Sequence, residues 1–188
     1  MRSAPLPLPA PPLADALVAL RPWRARDAAA IAAAFRDPEL HRFSWPRTEP
    51  YTLADADRYL VDCAHARAAG RGLELAVAAA DGASEPIGGV ALYDVERDQD
   101  RAALGYWVAP AARRRGVATH AARLLARWAF AELGLARLEL TCGPDNAASQ
   151  AVAMRCGFVR EGLLRSHMRF KDGRRDTVVF GLLPHELR

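Results

Sequence analysis

The sequence predicts an α+β domain: a mostly antiparallel sheet of about seven strands, flanked by about four helices, with one parallel crossover. Three observations carry this expectation. Apolar runs suited to strands come as a group of three before the most regular amphipathic segment, 113–133. Within that segment Val117, Ala121, Leu124, Leu125 and Trp128 recur at helical spacing, so one face packs on a sheet. A further strand-like run, LARLELT at 135–141, follows almost at once, which makes a strand–helix–strand crossover. Grouped strands argue against a doubly wound parallel sheet.

Taken in order, Leu17 to Leu20 is a first strand and Arg24 to Phe35 a helix rich in good formers. Residues 37–51 carry three prolines with Phe43, Trp45 and Tyr51, and read as an aromatic loop that either walls a cleft or plugs a hydrophobic gap. Thr52 and Asp55 form the start of a helix that runs to about Ala69, where Gly70 and Gly72 stop it. Strands follow at 73–80, 87–93 and 101–108, with an Asp81-Gly82 turn and an acidic 94–100 link. After the 113–133 helix and the 135–141 strand come a short helix at 146–155 and strands from Phe158, at 165–170 and at 176–183.

The 188 residues suit one domain, 16–188, preceded by a leader at 1–15 whose five prolines between Pro5 and Pro12 suggest an extended, mobile segment rather than a secretion signal. No apolar run approaches a membrane span. Three cysteines, without metal spacing, suit a reduced cytoplasm and give no metal site. The positive charge is almost all arginine, since Lys171 is the only lysine, and a net charge of +4 without a long basic tail suits a small anionic ligand as well as nucleic acid.

The stretch RRRGVATHAARLLARWAF (113–130) sets three arginines and a glycine before a helix start. A helix start exposes unpaired N–H groups and the positive end of the dipole, and Gly116 lets backbone approach an anion closely. A charged loop before a surface helix is the plainer alternative. With the strand LGYWV before it, and with DNAASQAVAMRCGFVREGLLR (145–165) downstream, the sequence resembles the GNAT superfamily of acetyl-CoA-dependent N-acetyltransferases. The first block matches the family's Q/R-x-x-G-x-G/A, and the second its N-x-x-S followed by G-F and E-G-x-L-R. The resemblance runs from about Leu17 to Leu183 and is greatest to the branch containing the ribosomal-protein N-terminal acetyltransferases, which also holds enzymes acting on antibiotics and small amines.

The resemblance implies a sheet splayed between the fourth and fifth strands. It implies acetyl-CoA as cosubstrate, its pyrophosphate on the loop and first helical turn formed by Arg113, Arg114, Arg115, Gly116, Val117, Ala118 and Thr119. Val108 N–H would act as oxyanion donor, Asn146 would bind the pantetheine or fix its loop, and Ser149 would lie near the sulfur. Trp45, Tyr93, Asp94 and Tyr106 are the implied substrate-side residues, Tyr106 also as a possible acid. The acetyl group would pass directly to an amine, either a protein N-terminus or a small molecule. The chain would act as monomer or homodimer, without membrane or nucleic-acid partners.

Relatives carry a glutamate just before the GYW-like segment, where this chain has Ala103 and Leu104. Glu161 is the replacement base considered first, with an ion pair to Arg160 or Arg165 as its alternative. The missing carboxylate also leaves open a CoA-binding protein without catalysis. It favours a low-pKa amine, because an α-amine near pKa 7.7–8 is neutral in roughly one molecule in five to ten at pH 7, against about one in 2,500 for lysine.

Overall fold

Alternating and continuous apolar runs pair into a single eight-stranded sheet in the computed structural model, which describes residues 4–44, 46–80 and 85–188. The strands are β1 (Leu13–Ala14), β2 (Val18–Pro22), β3 (Leu73–Ala79), β4 (Gly88–Glu96), β5 (Arg101–Val108), β6 (Arg137–Cys142), β7 (Val159–Phe170) and β8 (Gly173–Leu182), in the spatial order β1-β2-β3-β4-β5-β6-β8-β7. The helices are α1 (Ala28–Phe35), α2 (Pro38–Ser44), α3 (Leu53–Ala68), α4 (Val117–Leu133) and α5 (Ala147–Cys156). All pairings are antiparallel except β5 with β6, which α4 connects. The expected class and crossover hold, with one more strand and one more helix than expected. The Asp81-Gly82 turn lies outside the described residues.

The extra helix is α2, read from sequence as a loop because of its prolines. Pro38 occupies the first helical position, where its missing N–H costs nothing. Asp37 caps it, its carboxylate accepting from the N–H groups of Glu39 (3.1 Å) and Leu40 (3.0 Å). Residues 4–14 of the leader lie against the domain. Leu6 is fully buried, its N–H donates to Arg67 C=O at 3.0 Å, and Arg67 returns a 3.0 Å bond to its carbonyl. Leu13 and Ala14 then pair with β2. Proline-rich backbone lacks its own hydrogen bonds, so it takes them from α3.

The two sheet faces bury separate cores. Val117, Ala121, Leu125 and Trp128 of α4 pack with Leu75, Leu104, Leu138 and Phe180. On the other face Ile31, Phe35, Leu40 and Tyr51 pack around Trp107, with Phe35 and Tyr51 stacked at 4.6 Å between ring centres. Tyr51 therefore plugs the core rather than walling a cleft.

The feature that positions the site is a fork. β5 and β6 pair only at Arg101–Arg137, Ala102–Leu138 and Ala103–Glu139, and part beyond that level. Seen from strand order without the two-residue β1, this is the splay between fourth and fifth strands.

Candidate active site

The parting of β5 from β6 leaves backbone unpaired. Asp100 C=O accepts from Ala136 and Arg137 on the β6 side, whereas Ala109 N–H donates to Ile87 on the β4 side. Successive strand residues alternate in hydrogen-bonding direction, so Tyr106 and Val108 turn their N–H groups into the gap. An extended arm laid there would complete the sheet, as an added strand does.

Gly116 opens α4 at the same end. Its φ of +81° is the left-handed region, and the helical ladder begins only with His120 N–H to Gly116 C=O at 3.0 Å. The N–H groups of Val117, Ala118 and Thr119 thus have no helical partner and point out of a positive helix end. Val117 and Thr119 side chains are buried, which fixes this turn against the core.

A cleft of about 790 Å³ joins the two features. Of the residues expected at the site, Tyr106, Val108, Arg113, Arg114, Gly116, Val117, Ala118, Thr119, Asn146 and Ser149 all line it. Arg114 and Arg115 are exposed, Arg115 outside the lining. Arg113 is committed elsewhere: its guanidinium pairs with Asp37 and, at 2.9 Å, with Glu39. That bond from Arg113 is the main force holding the Asp37 carboxyl below its usual range. Arg113 therefore locks α2 to the loop, and the cradle itself is backbone.

Asn146 is the N-cap of α5, its side-chain oxygen accepting Ser149 N–H at 3.0 Å. Ser149 Oγ lies 3.0 Å from the Tyr106 hydroxyl. Burial pushes the Tyr106 phenol well above its ordinary range, against the opposing effect of the Ser149 bond. A neutral phenol and a serine hydroxyl thus stand together on the wall of the gap. Cys142, close by, is buried with its thiol pushed up by burial, unlike a nucleophile. Asn146→Ala should cost about 1 kcal/mol of stability through the lost cap and raise the KM for acetyl-CoA, readable by thermal unfolding and initial rates.

Three expected residues lie away from this cleft. Glu161 is held by Arg137 in a two-point ion pair, at 2.8 and 2.5 Å, instead of by Arg160 or Arg165. Arg137 is level with Arg101, seven residues from Val108 along β5, roughly 23 Å at about 3.3 Å per residue. Glu161 is thus toward the closed end of the fork; the Arg137 guanidinium keeps its carboxyl below the usual range. Asp94 is exposed in the irregular stretch of β4, likewise toward the closed end. Tyr93 sits on the sheet face opposite α4, its ring over Gly105. Its hydroxyl lies toward Thr141 of β6, and burial pushes the phenol above its ordinary range. Trp45 lies outside the described residues.

Sequence reasoning missed Glu139. It is in register with Ala103, where the expected strand carboxylate is absent, so it stands one strand across at the level of the fork. Arg137 Nε donates to it at 3.0 Å and Arg101 lies 4.0 Å away. Only strand register reveals this; spacing along the chain does not. His120, in the first turn of α4, pairs with Asp15 at 2.7 Å beside Gly116.

The sequence profile of the acetyltransferase (GNAT) domain family matches residues 18–159. The ribosomal-protein-serine acetyltransferase of Escherichia coli is 30% identical over 97 residues, 51% of this chain and 54% of that protein. The uncharacterized N-acetyltransferase YoaA of Bacillus subtilis is 27% identical over 164 residues, 87% of this chain and 92% of that one. The chain spans about half the length, 54%, of three of the curated relatives it matches. Among solved structures, Mycobacterium smegmatis RimJ in complex with CoA-disulfide superposes with a TM-score of 0.80 at 30% identity, over 94% of this chain and 87% of that one. Forked strands, left-handed glycine and unpaired helix N–H groups suit an extended thioester arm ending in a pyrophosphate, and the profile match over three quarters of the sequence shows that the chain belongs to the GNAT acetyltransferase family.

Proposed function

We propose that the protein transfers acetyl directly from acetyl-CoA to a primary amine, and that this amine is the α-amine of a polypeptide N-terminus. The observation that carries the transfer reading is the fork, which turns the Val108 and Tyr106 N–H groups toward one gap with the Tyr106–Ser149 hydroxyl pair on its wall. Bound acetyl-CoA supplies an activated acetyl thioester. The first turn of α4 holds its anionic end through backbone N–H groups. Val108 N–H stabilises charge developing on the thioester oxygen. Tyr106 donates a proton to the departing sulfur, with Ser149 fixing the direction of its hydroxyl.

The choice of an α-amine follows from the missing base. Ala103 offers no carboxylate, and Glu139 is engaged by Arg137 and Arg101. Without strong base assistance, an amine already neutral in a tenth or more of molecules near pH 7 is the competent acceptor. The relative named a ribosomal-protein-serine acetyltransferase supports a protein acceptor. Three buried free thiols suit a reducing, cytoplasmic setting.

Release of free thiol from acetyl-CoA should be measured with a Ser- or Ala-initiated peptide, the same peptide blocked at its N-terminus but bearing an internal lysine, and small primary amines. Turnover with the free N-terminus and little with the blocked peptide is the expected result. Faster turnover of lysine or small amines would replace the α-amine reading. Tight cosubstrate binding with no turnover of any amine would leave a binding protein.

A further inference from the structure

The charge of the chain is concentrated in one place. Residues 165–175 hold five of its 26 lysines and arginines and one of its 22 acidic residues, which accounts for the whole net charge of +4. These residues form the β7–β8 hairpin. β8 last pairs with β6 at Cys142–Val178, so Gly173 to Thr177 overhang the open end of the fork. The hairpin is tied there: Lys171 N–H donates to Pro46 C=O at 2.7 Å, and Lys171 Nζ lies 3.3 Å from His41 of α2.

The hairpin's cations differ from the ion-paired arginines of the fold. Elsewhere Arg21, Arg42, Arg101, Arg113 and Arg137 each meet a carboxylate. Among the described residues none of the five cations of the hairpin lies within 4.0 Å of one. Arg169 and Arg174 are directly opposite each other across the strands and both exposed, an arrangement that repels. Arg174 leans on the Ser166 and His167 carbonyls, and Arg175 lies 3.8 Å over the Phe170 ring, next to Gly143 at the end of β6. A surface that faces like charges against each other, with only Asp172 and Asp176 as nearby carboxylates of its own and the latter holding Ser166 N–H, suits an anionic partner.

We infer that this hairpin docks an acidic stretch of the acceptor polypeptide, a few residues behind the α-amine that enters the fork; the inference rests on the N-terminal acceptor proposed above. An acidic peptide fits better than RNA, because Arg175 already stacks on one face of Phe170, the phenyl ring in the patch, and Lys171 Nζ lies 6.0 Å from the same ring, which leaves a poor stacking platform for bases. Acidic side chains on an extended peptide would meet Arg169, Arg174 and Lys171 singly and raise encounter rate and affinity at low salt.

The test uses peptides with one shared free N-terminus and acidic, neutral or basic residues at the fourth to eighth positions. At low salt the acidic peptide should show about tenfold higher kcat/KM than the neutral one, mostly through KM. That advantage should vanish at about 0.5 M salt and in an Arg169→Glu/Arg174→Glu variant. The thermal shift with acetyl-CoA should be unchanged in the variant, showing an intact cosubstrate site; Arg169→Gln/Arg174→Gln is the milder form should the reversal unfold. Equal kcat/KM for acidic and neutral peptides overturns the proposal. So does tight, salt-sensitive binding of single-stranded RNA to the hairpin without a preference for acidic peptides. Acetylation of no peptide at all would instead overturn the N-terminal acceptor reading beneath it.

Discussion

Replacing Gly116 with glutamate should abolish acetyl-CoA binding while leaving the fold in place. The parent, at a ligand concentration of about 100 times Kd, should gain roughly 2.7 kcal/mol, seen as a rise in Tm of about 5–10 °C for a chain of this size. The variant should show no rise. Space is not the obstacle: an added Cβ would lie 3.4 Å from His120 and 3.7 Å from Leu17, ordinary contacts. The φ of +81° costs a side chain about 1–2 kcal/mol. The carboxylate, however, suits the positive end of α4 and would sit where the N–H groups of Val117, Ala118 and Thr119 are open. It would therefore occupy the cradle as a built-in anion and repel the pyrophosphate. Two unit charges about 4 Å apart near a surface interact by about 4 kcal/mol, so affinity should fall roughly 10³-fold. Gly116→Asn separates the causes, because asparagine tolerates left-handed backbone without adding charge. It should bind nearly as the parent does. A Glu variant with the parent's thermal shift would place the anion elsewhere.

That glycine shows what a sequence discloses well. Its place in an anion cradle, the helix after it and the strand before it are local, and each was legible from neighbours in the chain. So was the parallel pair, because a strand–helix–strand crossover into an otherwise antiparallel sheet creates one; its splay came only from the family resemblance. What stayed hidden depends on partners distant in sequence. Arg113 reads as a phosphate ligand until α2 brings Asp37 and Glu39 against it, 76 and 74 residues away. Glu161 reads as a base because it follows the Gly-Phe motif closely. The strand order β6-β8-β7 nevertheless carries it to Arg137, at the wrong end of the fork. Glu139 was overlooked because its significance lies in its register with Ala103 across two strands. The helix α2 was different: the pattern Asp37-Pro38-Glu39 was a visible cap and helix start, outweighed by the density of prolines around it.

Tyr106→Phe should lower kcat by about 10²-fold and leave the thermal shift with acetyl-CoA intact. General acids contribute about 10²–10⁴-fold. The low end applies because a thiol of pKa about 8.5 is already a fair leaving group. Phenylalanine keeps the ring and its packing, so the loss isolates the hydroxyl, which in the parent stands 3.0 Å from Ser149 Oγ. The pH profile supplies the second readout. A proton donor works only while protonated, and burial raises the Tyr106 phenol above its ordinary value near 10. Tyr106 therefore imposes no falling limb below about pH 10. The rate should climb as the acceptor amine loses its proton and level off above about pH 8 for an α-amine, whereas a lysine acceptor would keep it rising toward about 10.4. Single-turnover thiol release with peptide acceptor, from pH 6 to 10, measures both effects without interference from product release. A phenylalanine variant with the parent's rate would remove Tyr106 from the proton path. A parent profile falling between pH 7 and 9 would point to a donor of ordinary acidity, one that the buried phenol on this wall of the fork is not.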